Sequence, residues 1–535
     1  MRDRLKQRLF LLPPAALLAG AVIWGLYFTY QYDREQGLNV SDAINSIDLA
    51  QVARRAARGD GLTTGFIRPV SLRFHPDYIH HPELTHPPLY ILILAGAFLA
   101  AGARDGTVVA VSIGFFWAAA AWTWYWGRKI FGDRAAALAI LLYCLSPILL
   151  RVSINGSPVP FLACLLFLLF RLLYGSRADS RFFPAAAGAV IGLAYLTRYS
   201  CGLWIFPAAF FLAGEGRRYR LRRLAFLAGG AFLVALPWLI RNWAVAGGPF
   251  FTLDGFKPSM FSDPRPGYIL WRGFSARSLV VPQRTYFIFK KLLLGVRDSY
   301  LRVLLLTGNF ASVFAILSVL HRFSDRKFDR LKYAFFMMLI LECGYLSLFS
   351  PAGQGTAVFI PMAVVLAAAF FLDLLDRFQG RRAALTRAAL LVFFLLLAVI
   401  PISDKLGPRA FSRLRLYSVK NIREVAAEVP PGEILVSDVP WAVSWYGGVN
   451  AIWLPFRLED YEEIRIYREP EVAGFFLSPF YGGDFFAPGE ISPDWLRVYD
   501  TGWVPGGWGM EHRTSLPDEH VFISRLPFPA GGDGM

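Results

Sequence analysis

The chain has 535 residues, 55% of them apolar, and carries a formal net charge of +16. So large an apolar share excludes an ordinary soluble globular protein and is typical of a chain that crosses a lipid bilayer several times. The positive charge does not indicate a nucleic-acid-binding protein, because much of it lies in short segments between apolar stretches, where membrane topology accounts for it.

Arginine and lysine residues cluster in every second gap between the apolar stretches. The clusters fall at residues 2–8, 128–134, 177–181, 217–223, 322–332 and 377–387. Short segments rich in these residues stay on the cytoplasmic side of a membrane. We therefore expect these gaps and the N-terminus to be cytoplasmic. The longer loops, where any chemistry is to be sought, are expected outside.

The apolar stretches predict eleven membrane-spanning helices, since a span needs about 20 residues. One of them, 200–214, is shorter and is counted because it lies between Arg198 and the basic cluster at 217–223. The stretches cover residues 9–30, 107–127, 134–151, 158–174, 182–199, 200–214, 224–242, 300–320, 333–350, 354–375 and 384–402. The first one follows a basic start and lacks a small-residue cleavage site, so we expect a membrane helix and not a cleaved signal peptide. An odd number of spans places the C-terminus outside.

The first outer loop, residues 31–106, begins with a predicted helix over residues 41–58, which Gly59 is suited to end. Three polar side chains follow each other at a spacing of three residues: Asp42, Asn45 and Asp48. This spacing places them on one side of the helix. Two carboxylates and an amide beside a membrane surface predict a catalytic site, and a solvated polar helix face is the structural alternative.

The same loop ends in an apolar segment, residues 89–103, that is too short for an ordinary span. If this segment crossed the membrane, every later loop would be inverted and the basic cluster at 217–223 would lie outside, against the charge distribution. The segment is therefore predicted to be an interfacial helix at the outer membrane surface.

Several residues of the first outer loop could bind a divalent metal ion. They are His75, Asp77, His80, His81, Glu83 and His86. Their spacing matches no compact metal signature, and two prolines interrupt it. The sequence therefore indicates no definite cofactor, and His75, His80, His81 and Glu83 are kept as alternative metal ligands.

The C-terminal part of the chain differs in character from the apolar remainder. Four short stretches, 432–438, 450–455, 472–479 and 520–526, resemble strands bounded by turn residues, and Val419–Val429 resembles a helix. The predicted fold class is thus an all-α polytopic membrane protein, residues 1–402, followed by a small extracytoplasmic α/β domain, residues 403–535.

Two motifs in the first outer loop resemble a known superfamily. The run DLAQVARRAARGDGLTTGFIRP (48–69) and the run HPPLY (86–90) are similar to the first extracytoplasmic loop of the GT-C glycosyltransferases, which use polyprenyl-phosphate sugars. The branch resembled contains protein O-mannosyltransferases and the lipid A aminoarabinose transferase. The outer turns SPILLRVSINGSP (146–158), LAYLTRYSCGLWIFPA (193–208) and LPWLIRNWAVAGGPFF (236–251) agree with this resemblance.

The resemblance implies a helical bundle in the inner membrane of a bacterial-type cell, with its active site at the outer surface. A polyprenyl-phosphate sugar would enter from the bilayer, and the anomeric centre would invert on transfer to a lipid, glycan or protein acceptor. The superfamily uses an Asp in the first loop as general base or to position the acceptor, but the matching position here is Asn45. Because an amide cannot accept the proton, Asp48 or Asp42 is expected to act instead.

The basic residues at outer helix ends are the expected partners of the donor phosphate. Arg198 and Arg241 lie within matching motifs, and Arg68 and His86 are further candidates. Glu342, inside the ninth predicted span, suits either a proton relay or a paired structural acid. Two alternatives stay open: a lipid-linked sugar transporter or flippase, and a non-catalytic relative that binds polyprenyl phosphate.

Overall fold

The computed structural model divides the chain into two compact units. The described residues are 2–32, 37–38, 43–177, 180–214, 219–259, 269–274, 285–349, 354–379, 382–407, 417–479, 493–525 and 527. The first unit, here called the helical unit, comprises Met1–Gly37, Asp105–Trp238 and Leu293–Ser412. The second, the mixed unit, comprises Leu38–Arg104, Leu239–Leu292 and Arg413–Met535. Most of the first outer loop is thus grouped with the C-terminal residues, a different division from the predicted one at 402/403.

Five helices of the described residues are long and apolar enough to cross a membrane. They are Asp105–Phe131, Arg220–Ala246, Arg326–Phe349, Gly355–Asp376 and Ala383–Ser403. Four shorter apolar helices are Leu89–Ala101, Val159–Gly175, Phe182–Tyr195 and Tyr199–Ala213. An N-terminal helix, Arg2–Gln31, precedes them. The protein is therefore a multi-pass membrane protein, and the count of eleven spans stays a prediction.

The predicted span 134–151 is bent by 63° between two helices, Asp133–Cys144 and Pro147–Ile154. The bend lies where the side chain of Ser146 caps the second helix, and a proline follows in its first turn. Proline has no backbone N–H to donate and suits a helix start, so the apolar stretch breaks here. The hydropathy of the stretch does not reveal this bend.

The predicted span 300–320 is two helices instead of one, which corrects the prediction. One helix, Thr285–Val303, ends inside it, and a short one, Ala311–Leu317, begins after a turn. In that turn Gly308 has φ of 74°, and the Asn309 side chain accepts a hydrogen bond from the backbone N–H of Ala311 at 3.0 Å. The left-handed glycine and the turn closed by the asparagine side chain together interrupt the helix.

A six-stranded mixed sheet forms the core of the mixed unit, in the order β1-β3-β2-β4-β6-β5. The strands are β1 Phe66–Ile67, β2 Ile434–Ser437, β3 Ala451–Trp453, β4 Val472–Leu477, β5 His512–Leu516 and β6 His520–Ser524. β1, β3, β2 and β4 are parallel to one another, β6 is antiparallel to β4, and β5 is antiparallel to β6. The α-helices described in the C-terminal part of this unit are Val419–Ala427, Pro440–Ala442, Leu458–Arg468 and Pro493–Thr501.

The four strands predicted near the C-terminus and the helix beginning at Val419 are confirmed. β2 and β3 are buried along their whole length, as continuous apolar runs in parallel strands predict. Two strands were not predicted. β1 comes from the first outer loop, where Phe66 pairs with Ala451 of β3, so the loop contributes an edge strand to the C-terminal sheet.

Candidate active site

The helix of the first outer loop runs from Ile44 to Arg58 and is here called the loop helix. It ends as predicted at Gly59, whose φ of 93° lies in the left-handed region that glycine tolerates. Asp42 lies outside the described residues. Asn45 is exposed, whereas Asp48 is 2% exposed. Of the predicted residues on the loop helix, Asn45 is therefore open to the surface and Asp48 is buried in the mixed unit.

The carboxylate of Asp48 is the centre of a polar cluster inside the mixed unit. Its Oδ2 lies 2.5 Å from Nη2 of Arg68 and 2.8 Å from Nε2 of His86. Its Oδ1 accepts a hydrogen bond from the amide of Gln51 at 3.2 Å. The loop helix, the segment after β1 and the HPPLY run each supply one partner, so folding brings the predicted residues Asp48, Arg68 and His86 together.

The guanidinium of Arg68 is enclosed on its other sides. Its Cζ lies 4.1 Å from the ring centroid of Phe66 and 5.2 Å from that of Trp271, and the residue is 3% exposed. Aromatic faces attract a guanidinium most strongly where water is excluded. Arg68 is therefore a buried partner of Asp48, with little surface of its own.

The two cations determine the charge state of the cluster. Burial alone would raise the pKa of the Asp48 carboxyl, but Arg68 and His86 hold this pKa well below its ordinary value. Burial alone would lower the pKa of His86, but the Asp48 carboxylate raises it above its ordinary value. A carboxylate with so low a pKa is a poor proton acceptor. Within the cluster, Arg68 and a protonated His86 face the carboxylate of Asp48, and the nearby Glu83 carboxylate acts on His86 as well.

Glu83 fixes the backbone on which His86 stands. Its Oε1 accepts hydrogen bonds from the backbone N–H groups of Thr85 at 2.6 Å and His86 at 2.8 Å. Glu83 is fully buried, and its own N–H donates to the carbonyl of Leu62. This carboxylate acts as a cap for the turn before Pro87, in the way that acidic side chains cap helix starts. The side chain of His86 is 20% exposed.

The other histidines of the loop have separate surroundings. His81 is 1% exposed, its Nδ1 lies 2.7 Å from the carbonyl oxygen of Asp77, and burial lowers its pKa to about 4. Its ring meets the ring of His75 edge-on. His80 is exposed. Among the described residues, no group of three or more His, Cys, Asp and Glu side chains is arranged to hold a metal ion.

In the helical unit, Arg198 pairs with Glu342. Nη2 of Arg198 lies 3.1 Å from Oε1 of Glu342, and its Nη1 donates to the carbonyl of Gly355 at 3.2 Å. Ser200 donates to the same carboxylate oxygen at 3.0 Å. The side chain of Arg198 is 24% exposed and that of Glu342 is 3% exposed.

Arg241 lies near the end of the helix Arg220–Ala246 and belongs to the mixed unit. Its Nη1 donates to the side-chain oxygen of Asn242 at 3.2 Å. The amide of Asn242 in turn donates to the carbonyl of Phe251 at 3.3 Å. Asn242 thereby ties the helix end to the segment that follows it.

Sequence reasoning did not single out Gln51 or Gly355 and considered Glu83 only as a metal ligand. Gln51 bridges Asp48 to Thr64 and to the backbone N–H of Gly65. The spacing of Glu83 three residues before His86 is that of a side-chain cap and could have revealed its role. Gln51 gives no such signal, because a glutamine on a helix is ordinarily a surface residue.

Comparisons with known proteins agree with this architecture. The family model of dolichyl-phosphate-mannose-protein mannosyltransferases matches residues 85–241. The archaeal oligosaccharyltransferase AglB from Archaeoglobus fulgidus, solved with an inhibitory peptide and a dolichol-phosphate, is 12% identical with a TM-score of 0.55, over 97% of this chain and 75% of that chain. ArnT from Cupriavidus metallidurans bound to undecaprenyl phosphate is 12% identical with a TM-score of 0.53, over 96% and 97%.

Apo ArnT from the same organism gives a TM-score of 0.52 at 13% identity, over 96% of this chain and 97% of that chain. No curated protein matches the sequence. The fold therefore defines the class: this is a multi-pass membrane protein with the fold of the GT-C glycosyltransferases. The resemblance that the motifs of residues 48–69 and 86–90 predict is confirmed.

Proposed function

We propose that this protein is a glycosyltransferase that moves a sugar from a polyprenyl-phosphate carrier to an acceptor on the extracytoplasmic side of the inner membrane. Its N-terminus would be cytoplasmic and its C-terminus extracytoplasmic. The GT-C fold, the family match over residues 85–241 and the lipid phosphates bound in AglB and ArnT support this proposal. The acceptor is a lipid, glycan or protein.

The observation that carries the proposal is the position of His86 in the cluster around Asp48. The buried Asp48 carboxylate holds two basic groups, and one of them, His86, keeps 20% of its side chain exposed. Such a site suits an anionic ligand, since a protonated imidazole can donate a charge-assisted hydrogen bond to a phosphate oxygen. His86 is therefore assigned to the donor phosphate, and Arg198 and Arg241 keep the role in phosphate binding that their motifs predict.

The roles of Asp48 and Arg68 follow from their burial. Asp48 is saturated by three partners, so its function is to hold His86 protonated and in place. Arg68 is enclosed by aromatic rings and keeps Asp48 ionised, instead of touching phosphate itself. The role of proton acceptor then falls to Asp42, with the exposed Asn45 hydrogen-bonding donor or acceptor.

The reaction is a single displacement. The acceptor hydroxyl oxygen forms a bond to the anomeric carbon, its proton passes to the Asp42 carboxylate, and the bond from that carbon to the phosphate oxygen breaks. The polyprenyl phosphate leaves with the bonding pair, and the basic side chains stabilise its growing negative charge. Attack opposite the leaving group inverts the anomeric centre.

The experiment compares glycolipids and glycans of the cell envelope by mass spectrometry in cells with the gene, without it, and with D42N or H86A. Loss of one glycosylated species in the deletion strain and in both variants supports the proposal. An unchanged envelope in the deletion strain, or full restoration by both variants, contradicts it. D60N, a change at an exposed acid just after the loop helix, is the matched control and restores the species.

One observation favours a second candidate, a non-catalytic relative that binds polyprenyl phosphate. Asn45 is exposed at the position where the superfamily has its acid, and an amide cannot remove a proton. This candidate predicts that purified protein binds undecaprenyl phosphate, while the deletion strain loses no glycosylated species. The envelope comparison and a binding measurement together separate the two functions.

A further inference from the structure

A polar contact inside the helical unit has no part in the cluster around Asp48. Glu342 stands in the membrane helix Arg326–Phe349 and is 2% exposed. Burying a carboxylate at such a position costs free energy unless the carboxylate is paired. One oxygen of Glu342 accepts hydrogen bonds from both Arg198 and Ser200. Stability alone does not call for this arrangement, because well-packed apolar residues in place of a buried ion pair are often neutral or stabilising.

The contact leaves Arg198 partly open. A guanidinium has five N–H donors, and two directed contacts of Arg198, to Glu342 and to the carbonyl of Gly355, fix its plane. The Arg198 side chain is nevertheless far more exposed than that of Glu342. A guanidinium that is fixed by two contacts, on a side chain that is still partly exposed, is pre-organised to bind the oxygens of a phosphate.

Gly355 provides the space for this geometry. A Cβ at this position would overlap Nη2 of Arg198 and would lie 2.9 Å from Cδ1 of Leu346. Any side chain here would push the guanidinium away from Glu342. Arg198 directly precedes the helix Tyr199–Ala213, Glu342 lies in Arg326–Phe349 and Gly355 begins Gly355–Asp376, so the packing of these helices sets the position of the guanidinium.

We propose that Glu342 is a positioning residue that holds the guanidinium of Arg198 ready for the phosphate of a lipid-linked donor. This inference rests on the proposed function and adds a residue outside the family match at 85–241. Glu342 does not touch the donor. Glu342 acts through Arg198, and the absence of a side chain at Gly355 leaves room for the contact between Glu342 and Arg198.

The test measures the dissociation constant of undecaprenyl phosphate for the purified full-length protein in detergent. E342A is expected to weaken binding about tenfold, since the charge-assisted hydrogen bond that orients the guanidinium of Arg198 is lost. E342Q, whose amide oxygen still accepts from Arg198, is expected to stay within about threefold of the wild type. The R198A/E342A double variant is expected to bind no worse than R198A.

Two further variants complete the test. G355A crowds Arg198 without changing Glu342 and is expected to weaken binding about tenfold, which keeps the inference testable if E342A does not fold. D373A removes an exposed acid paired with Arg377 at 2.9 Å in the next membrane helix, and it is expected to leave binding unchanged. Unchanged affinity in E342A or G355A, or additive losses in the double variant, overturns the inference. A wild-type protein that does not bind undecaprenyl phosphate overturns the proposed function itself.

Discussion

Nε2 of His86 lies 2.8 Å from Oδ2 of Asp48, although 38 residues separate them along the chain. The contact joins the HPPLY run to the loop helix, and Arg68 completes it from the segment after β1. A buried acid thus links the motifs of the first outer loop that resemble the GT-C superfamily. The consequences of this contact for stability and pH dependence are open to measurement.

Replacement of Asp48 by Asn is expected to destabilise the protein by about 3 kcal/mol, because the buried guanidinium of Arg68 loses its counter-charge. The thermal unfolding midpoint in detergent measures this effect. D60N, at an exposed acid, is expected to change stability by no more than about 0.5 kcal/mol. Equal midpoints for D48N and D60N would show that the Asp48 cluster contributes nothing to folding.

Stability is expected to fall as the pH rises through the raised pKa of His86. Burial lowers this pKa, but the carboxylates of Asp48 and Glu83 together raise it above its ordinary value, so the folded protein binds a proton more tightly than the unfolded chain. The contribution of protonated His86 to the free energy of unfolding is complete below the pKa of about 6.5 that His86 has in the unfolded chain. It is lost above the pKa that His86 has in the folded protein. The difference between wild-type and H86Q midpoints from pH 5 to 9 measures it, and a constant difference would refute the contact.

Replacement of Asp438 by Asn is expected to reduce the loss of stability between pH 5 and pH 8. The difference in stability between D438N and the wild type should therefore shift in favour of D438N as the pH rises. Burial raises the pKa of Asp438 to about 7, while Ser478 donates hydrogen bonds to it through its hydroxyl at 2.6 Å and its backbone N–H at 3.0 Å. The folded state therefore favours the protonated acid, and the wild type loses stability as the pH rises from about 4 to 7. Unfolding midpoints of D438N at both pH values check this, and a pH response identical to that of the wild type would contradict it.

Replacement of Gly65 by Ala is expected to destabilise the mixed unit by about 1–3 kcal/mol, since overpacking forces neighbours to move. A Cβ there would overlap the hydroxyl of Ser444 and lie 2.9 Å from Nη2 of Arg55 and 3.1 Å from Oδ1 of Asn450. At Gly96 no heavy atom lies within 4 Å of the place that a Cβ would take, so G96A is the matched control. Chemical denaturation of both variants measures the difference, and equal losses would exclude a close approach at Gly65.

Much of the local structure follows from short-range patterns that the sequence displays directly. The loop helix ends at Gly59 because a left-handed residue closes it, and the four C-terminal strands follow from apolar runs between turn residues. The bend at Ser146 and the turn at Asn309 were missed, because hydropathy averages over the single residues that cap and break helices. β1, only two residues long, has no periodicity to detect.

The sequence by itself determined that the chain crosses the membrane repeatedly and which superfamily it resembles. Only the tertiary structure decided that Asp48 is buried against Arg68 and His86 while Asn45 is exposed, and that Glu342 holds Arg198. The physical reason is the range of the interactions. Helix periodicity and hydropathy are local, whereas the burial and charge state of a carboxylate depend on partners from distant segments that only packing brings into contact.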